Sequence, residues 1–231
     1  MPHAIPSPSP RRLLLLTCAA PLLFAIAFLL LLMSSSSVRA EAVDLVEGKN
    51  YSRLQYPQPT SSGDKVEVIE FFWYGCPHCA NLDPFLHEWL KTLPPDVEFR
   101  KAPAVLGESW RTGAAIFYAL EALGEEERLG PELFNAMAKG KRRASFRKDE
   151  DLYDWMQKHG VDRDRFAARY KSFATQSKVV RAIEATQEYG FGGVPALVVG
   201  GKYLPLPQGT LRDMLQVVDA LIEKNRQEIG R

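Results

Sequence analysis

The spacing of apolar residues predicts a strand, a helix and a second strand in the first part of the folded region. Val66 to Trp73 is a run of β-branched and aromatic residues that is apolar on both faces, as a central sheet strand is. Apolar residues then recur at helical spacing from Cys76 to Leu90, and Val97 to Lys101 again has the composition of a strand. We therefore predict a β-α-β unit.

The spacing is helical from about residue 109 to 178 and returns to strands near the end of the chain. Gly200-Gly201 is the pair expected of a tight hairpin. We predict an α/β sheet domain at 65–108 and 179–231, with an all-helical insertion at 109–178. The later predicted elements are helices at Trp110 to Leu123, Pro131 to Lys139, Asp149 to His159, Asp162 to Phe173 and Gln176 to Tyr189, strands at Ala196 to Val199 and Lys202 to Leu204, and a helix at Thr210 to Gln227.

The first 40 residues have the pattern of an export signal. Arg11 and Arg12 precede an uncharged apolar stretch from Leu13 to Met33, and Val38-Arg39-Ala40 fits the small-residue cleavage rule. We expect cleavage near Ala40 and a mature chain outside the cytoplasm. Because the apolar stretch is longer than the roughly 7 to 15 residues of a cleaved signal, an uncleaved membrane anchor is the alternative.

Removal of this signal changes the charge and the cysteine content. The 29 basic and 28 acidic residues of the whole chain become 26 and 28. A nearly neutral chain argues against a nucleic-acid partner. Residues 41–64 are polar and rich in turns, which indicates a lead-in to the domain. Cys18 is lost with the signal, so Cys76 and Cys79 are the cysteines of the mature chain.

Three kinds of site use two cysteines separated by two residues. A zinc site needs four ligands, and only His78 and His87 are nearby in sequence. A structural bridge is unfavourable, because about 190 residues bury a core without staples and such a small ring restricts the unfolded chain little. A redox pair is favoured, since Cys76 and Cys79 lie between a strand and a helix.

The helix start predicts different roles for the two thiols. At Cys76 the first backbone N–H groups of the helix have no partners within the helix, so the sulfur can accept hydrogen bonds from them. Such bonds favour the thiolate, which is the reactive form in disulfide exchange. Cys79, one turn later, is expected to be shielded. We predict that Cys76 is the attacking sulfur in disulfide exchange and that Cys79 is the resolving sulfur.

Three features together resemble the DsbA family, whose members are periplasmic oxidants with a thioredoxin fold split by a helical domain. They are EFFWYGCPHC at Glu70 to Cys79, GVPALVVGGKY at Gly193 to Tyr203, and the helical insertion. Pro77-His78 is the dipeptide of this family. The resemblance implies a monomeric thiol:disulfide oxidoreductase that donates its Cys76–Cys79 disulfide to unfolded exported proteins with reduced cysteines. A membrane quinone reductase of the DsbB type would reoxidise it, without metal or soluble cofactor.

The resemblance and the local sequence suggest further site residues. His78 is a candidate donor to the Cys76 sulfur, the alternative being an exposed loop histidine. The resemblance implies that the Val194-Pro195 bond is cis, that Pro195 packs against the disulfide, and that the Val194 backbone pairs with an extended client. Trp73 and Tyr74 abut the thiols and are expected to form an apolar rim for unfolded chains.

Glu70 is an acid within the apolar strand. A buried carboxylate is costly unless it is protonated or paired. Glu70 resembles the family's buried glutamate beneath the active site, and Lys101, on the adjacent predicted strand, matches its partner lysine. The two could relay or buffer the proton of Cys79. The alternative is a strand-end acid that reaches solvent.

Two other functions stay open at this point. One is a disulfide isomerase or reductase, which usually needs an added dimerisation region; residues 41–64 are too short for one. The other is a secreted binding or chaperone module that carries a passive bridge.

Overall fold

The computed structural model describes residues 43–139 and 146–230. The predicted export signal at 1–40 lies outside these residues. Within the described part of the chain, no helix combines the length and the hydropathy that a membrane span requires.

Five strands form one mixed sheet around the predicted central strand. The strands are β1 (Tyr51–Arg53), β2 (Val66–Phe72), β3 (Val97–Pro103), β4 (Ala196–Val199) and β5 (Tyr203–Pro205), in the order β1-β5-β4-β2-β3. β2 pairs with β3 in parallel and with β4 in antiparallel orientation, which confirms the predicted β-α-β unit. All seven residues of β2 are buried, in agreement with a sequence that is apolar on both faces.

The lead-in contains an edge strand that the sequence did not predict. β1 pairs antiparallel with β5, so Tyr51 lies opposite Pro205. Further along the lead-in, the backbone N–H and the hydroxyl of Ser61 donate to a buried oxygen of Glu67 at 3.1 and 2.7 Å. Three residues are too few for an alternating pattern to be recognised, which explains why β1 was missed.

Seven α-helices complete the described part of the chain. The helices are α1 (Pro77–Leu90), α2 (Arg111–Leu123), α3 (Glu126–Phe134), α4 (Asp149–Lys158), α5 (Arg163–Tyr170), α6 (Phe173–Tyr189) and α7 (Leu211–Glu228). A 3-10 turn precedes α2 at Glu108–Trp110, and a π turn follows α3 at Asn135–Lys139. Glycines with positive φ end two of the helices, Gly124 after α2 and Gly190 after α6.

The predicted boundaries of three helices were wrong, including the start of α6, which is Phe173 and not Gln176. α3 begins five residues before Pro131, where the helix was predicted to start, and the proline lies inside it. The helix predicted to run to Phe173 ends at Tyr170, because the Ser172 hydroxyl accepts from the Thr175 N–H and caps a new helix. That new helix, α6, is continuous across the predicted boundary between the insertion and the sheet domain at residue 178.

The sheet is packed on both faces, and one end of β2 is joined to the helical region. Val66 and Val68 pack with residues of α1 and α7, whereas Phe71 on the opposite face contacts Tyr189 of α6. Phe72, at the end of β2, packs edge-to-face against Phe117 and Phe134 from the helical region. The residues that follow β2 are therefore held between the sheet and the inserted helices.

Candidate redox-active site

The two cysteines occupy the start of α1 as the sequence predicted. Cys76 is the N-cap residue, with extended backbone, and Pro77 is the first helical residue, where its missing N–H costs no helical hydrogen bond. The N–H of Cys76 donates to the Trp73 carbonyl at 2.9 Å, which fixes the turn that leads into the helix. Both cysteines are free thiols; Cys79 is fully buried and Cys76 is 7% exposed.

Local hydrogen bonds lower the pKa of Cys76 from its usual 9.0 to about 6. The largest cause is a hydrogen bond from the Cys79 thiol to the Cys76 sulfur, which outweighs the opposing effect of burial. The backbone N–H groups of Cys79 and His78 contribute next, followed by the charge of the His78 ring. His78 therefore acts on the sulfur mainly through its backbone, and its side chain is exposed.

The pKa of Cys79 moves in the opposite direction. Burial raises it far above the usual value, and the hydrogen bond to Cys76 and the charge of Glu70 add to the shift. At neutral pH, Cys76 is ionised and Cys79 is protonated. This asymmetry suits an attacking and leaving sulfur beside a shielded resolving sulfur.

The loop before β4 lies against the first cysteine. The peptide bond between Val194 and Pro195 is cis, as the sequence resemblance implies. The Cys76 thiol donates to the backbone carbonyl oxygen of Val194 at 3.4 Å. The fold therefore brings Val194 and Pro195 to the same place as the cysteines.

An apolar groove of about 490 Å³ continues from this loop. His78, Val194 and Pro195 were predicted as site residues, and the remaining lining residues were missed. They come from the loop before β4, from β4 and β5, from the segment after β5 and from the start of α7, so no single local pattern in the sequence marks them as one surface. The apolar residues that were missed are Phe191, Ala196, Leu204, Pro205, Leu206, Pro207, Leu211 and Met214.

The prediction that Trp73 and Tyr74 form an apolar rim was wrong for Tyr74. Tyr74 is only 1% exposed, and its hydroxyl donates to Glu126 at 3.1 Å. Trp73 is half-buried and stacks on Trp110, with ring centroids 4.3 Å apart. Gly75 makes room for this ring, because a Cβ there would lie 2.4 Å from it.

Glu70 is buried beneath the active site, so the solvent-reaching alternative was wrong. Burial raises its pKa from 4.5 to about 8; the charge of Lys101 lowers it, and the charges of Asp83, Glu126 and Cys76 raise it. Neither carboxyl oxygen has a hydrogen-bond partner among the described residues. Glu70 is therefore protonated at neutral pH.

Lys101 lies opposite Glu70 in the parallel strand register, but its ion pairs are with other acids. Its ammonium nitrogen is 3.1 Å from Asp83 Oδ1 and 3.8 Å from Glu126 Oε1. Glu70 and Lys101 therefore do not form the expected direct ion pair, because the long lysine side chain reaches Asp83 on α1 and Glu126 on α3. Lys101 acts on Glu70 only through its charge.

Asp83 and Glu126 were not predicted as site residues. Asp83 lies four residues after Cys79 on α1, so helical spacing alone could have placed it on the buried face. The helix passes through Pro84 without ending. Glu126 comes from the helical region, and its approach to Lys101 depends on how the helices pack on the sheet. No local pattern could have revealed it.

The described residues contain no cluster of metal-ligating side chains. Within residues 43–139 and 146–230, no group of three or more His, Cys, Asp or Glu side chains is placed to hold a metal ion. His87 directs its Nδ1 atom to the Asp83 carbonyl at 2.9 Å.

Comparison with known proteins gives a consistent result. Residues 67–216 match the family model described as DSBA-like thioredoxin domain. The thiol:disulfide interchange protein DsbA of Azotobacter vinelandii is 38% identical over 186 residues, covering 79% of this chain and 86% of that protein. The protein of the same name from Pseudomonas aeruginosa (strain PAO1) is 36% identical over 200 residues, covering 86% and 94%.

Solved structures resemble this chain over a similar extent. The crystal structure of Pseudomonas aeruginosa DsbA aligns with a TM-score of 0.75 at 35% sequence identity, covering 81% of this chain and 98% of that chain. The oxidoreductase DsbA from Xylella fastidiosa aligns with a TM-score of 0.72 at 28% identity, covering 79% and 98%. The likeness therefore includes both the sheet and the inserted helices.

Proposed function

This chain belongs to the DsbA family of thiol:disulfide oxidoreductases, and we propose that Cys76 and Cys79 are the pair through which it introduces disulfide bonds into other proteins. The observation that carries the assignment of roles is the opposite shift of the two thiol pKa values within one helical turn. A passive bridge does not need such an asymmetry, whereas an oxidant gains its driving force from a stabilised thiolate.

The reaction begins with the disulfide form. A client thiolate attacks the sulfur of Cys76, the Cys76–Cys79 bond breaks, and the Cys79 sulfur takes up a proton. A second client thiolate then attacks the client sulfur of the mixed disulfide, and Cys76 leaves as a thiolate. Two client thiols are oxidised to one disulfide, and the protein's disulfide is reduced to a dithiol. His78 and Pro77 hold the helix start at which that thiolate is stabilised.

The client binds beside the pair as an extended segment. Its backbone pairs with Val194, whose carbonyl already lies 3.4 Å from the Cys76 sulfur, and Pro195 packs next to the reacting bond. Apolar client side chains enter the groove between the Phe191–Ala196 loop and the start of α7. Because the burial of apolar surface depends on its area and not on specific charged groups, the groove suits unfolded client chains of varied sequence. Trp73 contributes one partly exposed edge beside this path.

The partners and the compartment follow from the role. The clients are exported proteins with reduced cysteines, and the compartment is the periplasm, reached through the signal at 1–40. The dithiol is reoxidised by a membrane quinone reductase of the DsbB type, and the Cys76–Cys79 disulfide takes the place of a soluble cofactor. The protein works as a monomer, and its near-neutral charge suits clients other than nucleic acid.

Two assays side by side test the function. The disulfide form should rapidly oxidise a reduced unfolded protein, and it should be poor at refolding a protein with scrambled disulfides. Cys76→Ser should abolish the first activity. Rapid refolding of the scrambled protein would instead favour a disulfide isomerase, and suppression of aggregation without oxidation would favour a binding module.

A further inference from the structure

Two acids from different parts of the fold hold the buried lysine of the site. The ammonium nitrogen of Lys101 is 3.1 Å from Asp83 Oδ1 on α1 and 3.8 Å from Glu126 Oε1 on α3. The Lys101 side chain is only 13% exposed, and Glu70 lies opposite it in the sheet. The helical region therefore supplies a charge directly to the sheet domain.

Three contacts fix the position of that charge. The Tyr74 hydroxyl donates to Glu126 Oε1 at 3.1 Å, and Tyr74 is itself buried two residues before Cys76. The same oxygen lies over Gly130, where a Cβ would approach it to 3.1 Å. Lys101 is the third contact, so the carboxylate is restrained on several sides although its side chain is 17% exposed.

We propose that Glu126 is a positioning residue of the redox site: together with Asp83 it holds the Lys101 ammonium in ion pairs that take the place of a Glu70–Lys101 pair, and so it couples the inserted helices to the Cys79 end of the dithiol. The proposal rests on the proposed function for its catalytic meaning, but its electrostatic content can be measured without a client.

The charges around Glu70 show how Glu126 acts. Burial lowers the pKa of Lys101, but the charges of Glu126, Glu70 and Asp83 raise it above the usual value, so Lys101 stays charged. Glu126 also raises the pKa of Glu70, which Lys101 opposes. The remaining groups that face this cluster are Cys76 and Cys79 beside Glu70, Tyr74 beside Glu126, and His87 beside Asp83.

The consequence concerns the proton that Cys79 takes up. When a client thiolate opens the Cys76–Cys79 bond, the neutral Glu70 carboxyl supplies the proton that the Cys79 sulfur takes up, through an intervening water molecule because no direct hydrogen bond joins the two groups. The resulting carboxylate regains a proton from water. By supporting the neutral form of Glu70, Glu126 extends to higher pH the range in which this donor is loaded.

The experiment is a titration of the Glu70 carboxyl by ¹³C NMR in the full-length dithiol protein, with Glu70→Gln used to assign the signal. In Glu126→Gln the midpoint should move to lower pH by on the order of half a unit or more, because a nearby negative charge has been removed. The pH above which the disulfide form oxidises a reduced client more slowly should move in the same direction. Glu127→Gln is the matched control, because it removes an exposed acid from the same helical turn.

Two further variants test whether position matters as well as charge. Glu126→Asp should return the midpoint towards the wild-type value. Gly130→Ala should lower the midpoint, since its methyl group displaces the carboxylate. The proposal is overturned by a wild-type midpoint in Glu126→Gln, or by an equal shift in Glu127→Gln. A wild-type protein that fails to oxidise clients would contradict the proposed function, while the titration would still decide the role of Glu126.

Discussion

The Cys76 thiol donates a hydrogen bond to the backbone carbonyl oxygen of Val194, 3.4 Å away and 118 residues later in the chain. This contact joins the start of α1 to the loop before β4. It requires the protonated thiol, so it is lost when Cys76 ionises, and the sulfur is then held by the donors at the helix start. Because Val194 lies next to Cys76, a client segment that pairs with the Val194 backbone is placed beside the reacting sulfur.

Replacement of the buried cysteine should raise the pKa of Cys76. In Cys79→Ala the largest stabilising hydrogen bond to the Cys76 sulfur is removed, so the pKa should rise from about 6 by roughly one unit or more. Cys79→Ser retains a donor and should show a smaller rise. Thiolate absorbance at 240 nm during a pH titration measures both. Equal pKa values in the wild type and the alanine variant would show that Cys79 is not the main donor.

Replacement of His78 should have a smaller effect of the same sign. His78→Ser keeps the backbone N–H that donates to the Cys76 sulfur and removes the ring. The charge of that ring lowers the Cys76 pKa less than the hydrogen bonds to the sulfur do. We expect a rise of less than about one unit and a somewhat weaker oxidant, measured by thiolate absorbance and by equilibrium with glutathione. His159→Ser, which removes a ring stacked on Trp155 in the helical region, is the control. An effect larger than that of Cys79→Ala would contradict this order.

Glu70 should make the stability of the dithiol form fall with rising pH. Its pKa is about 8 in the folded protein and about 4.5 in the unfolded chain, so the folded state binds more protons between these values. Its contribution is fully present below pH 4.5 and is lost as pH rises through 8. The free energy of unfolding of wild type minus that of Glu70→Gln should fall by about 3 to 4 kcal/mol between pH 5 and pH 8.

Urea denaturation at the two pH values measures this difference. Glu88→Gln, which removes a side chain that is 74% exposed on α1, serves as the control and should show no comparable change. A difference between wild type and Glu70→Gln that is independent of pH would mean that Glu70 is ionised in the folded state.

A polar side chain in the groove should impair the oxidation of unfolded proteins selectively. Met214→Gln removes apolar surface without adding charge near Cys76, and we expect kcat/KM for a reduced unfolded protein to fall about 5-fold. Oxidation of glutathione, which does not fill the groove, should be unchanged. Val180→Thr, at a side chain that is 47% exposed on α6, is the control. A parallel loss with both thiol substrates would indicate damage to the redox pair instead.

The sequence predicted those parts of the fold that have a regular period. β2 and β4 were recognisable because both are strongly apolar. The start of α1 was recognisable because it coincides with the pair of cysteines, Cys76 and Cys79. β1 was missed because it is three residues long and its pairing with β5 is a tertiary contact. The boundary between α5 and α6 was predicted three residues too late, because the hydroxyl of Ser172 caps the second helix and this cap was not recognised in the sequence.

The site was predictable in its covalent chemistry and less so in its electrostatics. Cys76, Cys79 and Pro195 lie in short motifs, so sequence alone singles them out. The ion pairs of Lys101 depend on side chains from α1 and α3 that meet only after packing. The burial of Tyr74 likewise follows from long-range packing, because its ring lies against Phe134 of α3. Long-range packing therefore decides which acids surround the thiols, and no local pattern records it.

The most direct test of the central claim compares the stability of the two redox forms. The pKa of Cys76 is about 6 in the folded dithiol and 9.0 when unperturbed, so its ionisation stabilises the folded dithiol increasingly as pH rises between these values. At pH 8.5 this contribution is at most about 3 kcal/mol, and partial exposure to solvent reduces it. The four-residue disulfide ring stabilises the other form by only about 2 kcal/mol.

Thermal unfolding of the dithiol and disulfide forms at pH 6 and pH 8.5 measures the balance. The dithiol form should melt at the higher temperature at pH 8.5, and its advantage should shrink or vanish at pH 6, where only about half of Cys76 is ionised and its ionisation adds little stability. A disulfide form that melts later at pH 8.5, or a difference that does not change with pH, would contradict the claim that a stabilised Cys76 thiolate drives this protein's oxidation of its clients.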